Sequence, residues 1–72
     1  MTRVLIVDDQ PDFRRHLSRL LCRAGYEIIA EADTIGGAET AVTAHCPDLA
    51  LVDLVLPDVD GLEGTPRLLA RC

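Results

Sequence analysis

The chain has 72 residues, 49% of them hydrophobic and 26% charged, which favours one small folded domain over a disordered segment. Its formal charge is −5 and all seven basic residues are arginines, so it offers no basic stripe for the phosphates of a nucleic acid. We therefore expect no direct nucleic-acid binding by this chain. No apolar run approaches the roughly 18 residues of a membrane span, and we expect no membrane association.

The three cysteines, Cys22, Cys46 and Cys72, are odd in number and show no C-x-x-C spacing. Cysteines that are odd in number and lack a paired motif are typical of reduced thiols in a reducing compartment. The chain also begins without the charged segment and long apolar segment of a secretory signal. We predict reduced thiols and a cytoplasmic location.

The first predicted element is a strand at residues 4–7, a run of four apolar residues that ends at the adjacent carboxylates of Asp8 and Asp9. Such a run is typical of a central strand in a parallel sheet, because helices cover both of its faces. Pro11 fits the first turn of a helix, where its missing N–H costs nothing. Gly25 fits the end of that helix.

The next two elements are a strand and a helix. Residues 26–33 alternate partly between apolar and charged side chains, which predicts an edge strand. Either Asp33 or Thr34 is placed to cap the helix that follows. Its predicted stripe consists of Ile35, Ala38, Val42 and His45. Pro47 ends the pattern.

The third strand, Leu49–Val52, repeats the pattern of the first, because an apolar run again ends in a carboxylate, Asp53. The last segment contains Pro66, which would break a helix begun at Leu62 by removing a hydrogen bond and crowding the preceding turn. We therefore predict a short third helix with Thr65 as its N-cap and Pro66 at its first position.

The element order β-α-β-α-β-α predicts an α/β fold, a parallel sheet with right-handed crossovers. Ligands of such sheets bind at the carboxyl ends of the strands, where the strand order reverses. If the first strand lies between the second and the third, giving the order 2-1-3, Asp8, Asp9 and Asp53 converge in one crevice. The alternative for Asp8 and Asp9 is a solvated pair that caps the first helix.

Three converging carboxylates require a compensating cation, because like charges raise one another's pKa. Mg²⁺ binds one or two carboxylates, a backbone carbonyl and several waters, and a phosphoryl oxygen often completes its shell. An aspartate beside such a cation is able to attack phosphorus and carry an acyl phosphate. The register of Asp53 with Asp8 and Asp9 favours this metal site over a capping pair.

Four segments occur together in register: VLIVDDQPDFRRHL, GYEIIAEAD, PDLALVDL and LPDVDG. Through them, residues 3–63 resemble the first half of the receiver domain of two-component response regulators. The resemblance implies a flavodoxin-like receiver topology truncated to three βα units, so that residues 1–72 form one partial receiver domain.

The resemblance also implies roles for single residues. Asp53 would accept the phosphoryl group, Asp9 would bind Mg²⁺ directly, Asp8 would bind it partly through water, and Val55 would contribute its backbone carbonyl. The implied partner is a sensor histidine kinase or a phosphotransfer protein. The chain would then be a signalling module and not an enzyme.

The resemblance further implies a Ser or Thr after a fourth strand and a Lys after a fifth, and both strands would lie beyond Cys72. Because the chain contains no lysine, it cannot supply that cation from elsewhere. The alternative function is therefore a truncated interaction fragment, incompetent for phosphorylation, that self-associates through the open edge of strand three. We expect this half-domain to be partly ordered and prone to association.

Two other features have plain interpretations. The segment DVDGLEGT is similar to a calcium loop, but it lacks the acidic residue needed at Leu56 and the glutamate needed at Arg67. We interpret it as the loop that follows Asp53. The arginines of the first helix are interpreted as a solvated face.

Overall fold

The computed structural model describes residues 1–71, apart from the side chains of residues 61 and 62, and it shows three strands that alternate with three helices. The strands are β1 (Arg3–Val7), β2 (Glu27–Ala32) and β3 (Leu49–Val52), and the helices are α1 (Pro11–Arg23), α2 (Ile35–His45) and α3 (Gly61–Leu69). Both strand pairs are parallel and the order is β2-β1-β3, which confirms the predicted topology. Within residues 1–71, no helix combines the length and apolar character needed to cross a membrane.

Strand β1 forms the centre of the sheet. Its last four side chains, residues 4–7, are at most 1% exposed, as expected for a strand covered on both faces. Val7, its last residue, is paired with Ala32 of β2 and with Val52 of β3. This register brings the carboxyl ends of all three strands to the same edge of the sheet.

Helix α1 begins and ends as predicted, but it is poorly covered. Pro11 is its first residue, and Gly25, at φ +97°, adopts the left-handed conformation that ends many helices. Among the described residues, no α1 side chain is fully buried, and Phe13 and Leu20 are about half exposed. Helix α1 is therefore much less buried than the central strand β1.

Helix α2 supplies much of the core on the opposite face. Thr34 is the N-cap, and its Oγ1 accepts a 2.9 Å hydrogen bond from the N–H of Gly37. The buried stripe of α2 consists of Ile35, Ala38 and Val42. These three side chains pack with Leu5 and Val7 of β1 in one hydrophobic cluster.

The prediction for helix α3 is wrong: α3 begins at Gly61, and Pro66 lies inside it. Hydrogen bonds run on both sides of the proline, from the N–H of Gly64 to the carbonyl of Asp60 (2.8 Å) and from that of Ala70 to the carbonyl of Pro66 (3.1 Å). Gly64 and Leu68 are buried one turn apart on the face toward α2. This packing offsets the single hydrogen bond that Pro66 cannot donate.

Among the cysteines, Cys22 is free and exposed, in agreement with the predicted reduced thiol. Cys72 lies outside the described residues.

Candidate metal centre

Three aspartates gather at the carboxyl ends of β1 and β3. Asp8, Asp9 and Asp53 each place a carboxylate oxygen within 4.8 Å of the others, and we call them the acidic cluster. Their backbone is fixed, because the N–H of Asp8 donates to the carbonyl of Ala32 and the N–H of Asp53 to that of Val7, both at 2.9 Å. The sheet hydrogen bonding therefore continues one residue beyond each strand and aligns the side chains.

The acidic cluster has a covered side and an open side. Asp8 is only 9% exposed, and its Oδ1 accepts a 2.8 Å hydrogen bond from the N–H of Gln10. Asp9, in contrast, is exposed. A ligand can therefore reach the cluster from solvent past Asp9, while Asp8 is held at the base.

Asp53 is restrained by the loop that follows it. Its Oδ1 accepts a 3.3 Å hydrogen bond from the N–H of Val55, so the carboxylate turns toward its own backbone as in an Asx-turn. The side chains of Leu54 and Val55 are 59% and 76% exposed, which leaves this side of the site open. The role of the Val55 carbonyl as a ligand stays a prediction.

The chemistry of the acidic cluster fits a small divalent cation. Octahedral Mg²⁺ binds oxygen at about 2.1 Å, so opposite ligands lie about 4.2 Å apart, close to the 4.8 Å limit of the cluster. None of the ion pairs in residues 1–71 reaches these three carboxylates. The three carboxylates thus meet without a direct ion pair to an arginine, which is a condition that a bound cation relieves.

Arg14 supports the site in a way that the sequence did not predict. Its side chain is only 20% exposed, and it donates hydrogen bonds to the carbonyl of Asp8 (2.6 Å) and to the carboxylate of Glu31 (3.1 Å). The interpretation of all α1 arginines as a solvated face is therefore wrong for Arg14. The available signal was Glu31 near the end of β2, which lies opposite the first turns of α1.

Asp58 in the loop after β3 was also missed. Its Oδ1 accepts hydrogen bonds from the N–H groups of Ile35 (3.0 Å) and Val59 (2.9 Å), and its Oδ2 accepts one from Gly36 (2.9 Å). The hydrogen bond from Ile35, followed by those from Gly36 and Val59, lowers the pKa of Asp58 below its usual range. A contact across 23 residues leaves no local pattern in the sequence.

The fold and the acidic cluster are both features of one protein family. The sequence model of the response regulator receiver domain matches residues 4–71. The chain belongs to this family. Its strand order and the aspartates at the strand ends are the features that the resemblance implied, and the recognition of a receiver is confirmed.

Curated and solved relatives agree with this assignment. The receiver chain is 43% identical over 63 residues to the transcriptional regulatory protein KdpE of Mycobacterium tuberculosis, covering 88% of this chain and 27% of that protein. It is 37% identical over 60 residues to the chemotaxis protein CheY of Bacillus subtilis, covering 83% and 50%.

Among solved structures, the receiver chain is similar to a LuxR-family two-component response regulator from Aurantimonas sp. SI85-9A1. The TM-score is 0.91 at 35% identity, covering 97% of this chain and 51% of that one. The chain thus spans between about a quarter and about half of the length of these relatives.

Proposed function

We propose that the chain is the phospho-accepting module of a two-component response regulator. In this proposal Asp53 takes a phosphoryl group from a phosphohistidine on a sensor histidine kinase or a phosphotransfer protein, and Mg²⁺ assists the transfer. The transfer belongs in the cytoplasm, and the chain acts as a switch for a partner and not as an enzyme on other substrates. Its charge of −5 argues against nucleic acid as that partner.

The observation that carries the proposal is the approach of three carboxylates to within 4.8 Å at the strand ends of a receiver fold. Asp8 and Asp9 are adjacent in the chain, whereas Asp53 arrives from a different strand. The parallel pairing of β1 with β3 in the 2-1-3 strand order brings these two sources together. A solvated capping pair at Asp8 and Asp9 would not require Asp53 to join them.

The proposed step is a displacement at phosphorus. An oxygen of the Asp53 carboxylate forms the new P–O bond while the P–N bond to the donor imidazole breaks, and the imidazole nitrogen leaves with the electron pair of that bond. The products are an acyl phosphate and a histidine whose departing ring nitrogen takes up a proton from water, which leaves the imidazole neutral. Bound Mg²⁺ would neutralise charge on the transferred group.

The residues of this chain prepare Asp53 for that step. Because Oδ1 of Asp53 accepts the hydrogen bond from Val55, Oδ2 is the oxygen that remains available to attack. Asp8 and Asp9 would hold the cation beside it. The exposed side chains of Leu54 and Val55 leave room for a donor protein to approach.

A second function is supported by the edge of β3. Within residues 1–71, β3 pairs with β1 alone, so its other edge carries open backbone groups. Grooves of 540 Å³ and 280 Å³ flank this strand, and both are lined by its apolar residues. An interaction fragment that associates through this edge is therefore the competing proposal.

The deciding experiment is phosphorylation of the purified chain with a small phosphoramidate in the presence of Mg²⁺, followed by intact-mass measurement. The first proposal expects one added phosphoryl group in the wild type and in Asp12→Asn, but none in Asp53→Asn. Asp12 is a matched control because its side chain is fully exposed on α1. An unmodified wild type that forms dimers would favour the interaction fragment.

A further inference from the structure

The loop between β3 and α3 carries two residues of the proposed site, Asp53 and Val55, yet its first part has little to hold it. Leu54 and Val55 are largely exposed, and Leu56 is the first side chain of the loop that enters the core, at 8% exposure. The N–H of Asp53 is fixed to β1 through the carbonyl of Val7. Besides the packing of Leu56, a second hydrogen-bonded point is needed to define where the loop, and with it the Val55 backbone, lies.

Asp58 provides that second point. Its carboxylate spans the first two N–H groups of α2, with Oδ1 on Ile35 and Oδ2 on Gly36, while Oδ1 also accepts from Val59 in its own loop. These helix N–H groups have no partner within the helix and carry the positive end of its dipole, so a carboxylate is well suited to them. The loop is thereby joined to a helix that is itself anchored in the core.

We propose that Asp58 is a positioning residue, which fixes the loop of residues 53–59 and thereby the Val55 backbone relative to the acidic cluster. The inference rests on the proposed function, because it assigns a role within the same phosphoryl and metal site. Asp58 does not touch the ligands of that site. It acts through the loop, from three residues beyond Val55.

Two residues, Thr34 and Asp58, cap different N–H groups at the start of α2, and this supports the assignment. Thr34 satisfies the N–H of Gly37 through its Oγ1 and the N–H of Ala38 through its carbonyl, both from within the local chain. Asp58 satisfies the remaining two N–H groups from a different part of the fold. Loss of either cap weakens α2, but only loss of Asp58 also releases the loop.

This difference defines a test with matched variants, in which Mg²⁺ is titrated into the metal-free protein and the amide NMR signals of the acidic cluster are followed. Asp58→Ala is expected to weaken Mg²⁺ binding about tenfold, the scale typical for residues that support metal ligands. Thr34→Ala removes the other cap and is expected to bind Mg²⁺ like the wild type. Glu39→Gln controls for the loss of one negative charge, because Glu39 contacts α3 and not the loop.

The outcomes separate the inference from the proposed function. Equal Mg²⁺ affinity in the wild type and in Asp58→Ala would overturn the inference alone. A wild type that ignores Mg²⁺ would overturn the proposed metal site, and amide relaxation at Val55 in the metal-free protein would then decide the inference. Increased motion in Asp58→Ala but not in Thr34→Ala would support it, and unchanged motion would refute it.

A second variant covers the case in which Asp58→Ala does not fold. Asp58→Asn keeps one oxygen acceptor for the helix N–H groups and loses the charge. Its Mg²⁺ affinity is expected to fall between those of the alanine variant and the wild type. An affinity equal to that of the wild type and of Glu39→Gln would contradict a positioning role for the carboxylate.

Discussion

Gly64 of α3 lies so close to Ile35 of α2 that a β-carbon at position 64 would be 2.5 Å from Cγ1 of Ile35. Ile35 is fully buried, so its side chain has little space into which to move aside. We expect Gly64→Ala to lower the free energy of unfolding by up to about 2 kcal/mol, because overpacking costs as much as about 3 kcal/mol at so short a contact and the gain in helix propensity returns about 1 kcal/mol. Urea unfolding followed by circular dichroism measures the change.

Gly36→Ala is the matched control for this prediction. A β-carbon at Gly36 would meet its nearest atom, Oδ2 of Asp58, at 3.7 Å, which is ordinary van der Waals contact. The substitution is therefore expected to leave stability unchanged or slightly raised. Equal losses in both variants would show that the contact with Ile35 is not the cause.

The same contact explains why the start of α3 was not predictable from the sequence. The local rule for Pro66 is valid, since a proline in a helix loses a hydrogen bond. However, Gly64 permits α3 to lie directly on Ile35, and Leu68 extends that packing into the core. The packing of α3 against α2 outweighs the hydrogen bond lost at Pro66. Because this packing depends on tertiary structure, a local sequence rule does not predict it.

Features with a local cause were predicted correctly. The buried run of β1, the Pro11 start of α1 and the left-handed Gly25 follow from rules that act within a few residues. The strand order then brings the aspartates together. Arg14 and Asp58 were missed because their partners lie in other elements, so no local spacing pattern marks them, and the charge of Glu31 was the one cue for Arg14.

Removal of one carboxylate from the acidic cluster is expected to weaken Mg²⁺ binding. Asp9→Asn should lower the affinity about tenfold or more, because unit charges 4 Å apart attract by about 1 kcal/mol even in water and Mg²⁺ carries two. Isothermal titration calorimetry measures the affinity, with Asp12→Asn as the exposed control. Equal affinities in the two variants would contradict a metal site at the cluster.

Arg14→Ala is expected to destabilise the fold by about 1 kcal/mol, because the carbonyl of Asp8 and the carboxylate of Glu31 lose a donor. Arg15→Ala is the matched control, since Arg15 is 63% exposed and its ion pair within residues 1–71 is with the solvated Asp12. That exposed pair should contribute less than about 0.5 kcal/mol. Urea unfolding of both variants tests the difference, and similar losses would contradict a structural role for Arg14.

Stability is expected to fall in acid partly through Glu39, whose carboxylate joins α2 to α3. The hydrogen bond from Arg71 (2.6 Å), together with the hydrogen bond from Arg67 and the charges of both arginines, holds the pKa of Glu39 below its ordinary value of 4.5. Because the pKa is lower in the folded state, this stabilisation is present above pH 4.5 and is lost as the pH falls toward the folded value.

Glu39→Gln tests this linkage through melting temperatures measured between about pH 3 and pH 7. The variant is expected to melt at a lower temperature near neutral pH and to lose less stability on acidification than the wild type. Asp58, whose pKa is also lowered from an ordinary 3.8, contributes a further loss at lower pH in both proteins. If the melting temperatures of the two proteins fell by the same amount on acidification, Glu39 would be excluded as a source of the acid sensitivity.

The open edge of β3 is expected to drive self-association. Leu49 begins this strand and is 41% exposed, so Leu49→Lys adds a charge at the edge without burying it. Charged side chains on an edge strand oppose pairing with another strand. Sedimentation velocity over a concentration series should show a dimer in the wild type and mainly monomer in Leu49→Lys. Leu20→Lys is the matched control, because Leu20 is 48% exposed on α1, away from the edge. A monomeric wild type, or equal dissociation by both substitutions, would rule out association through β3.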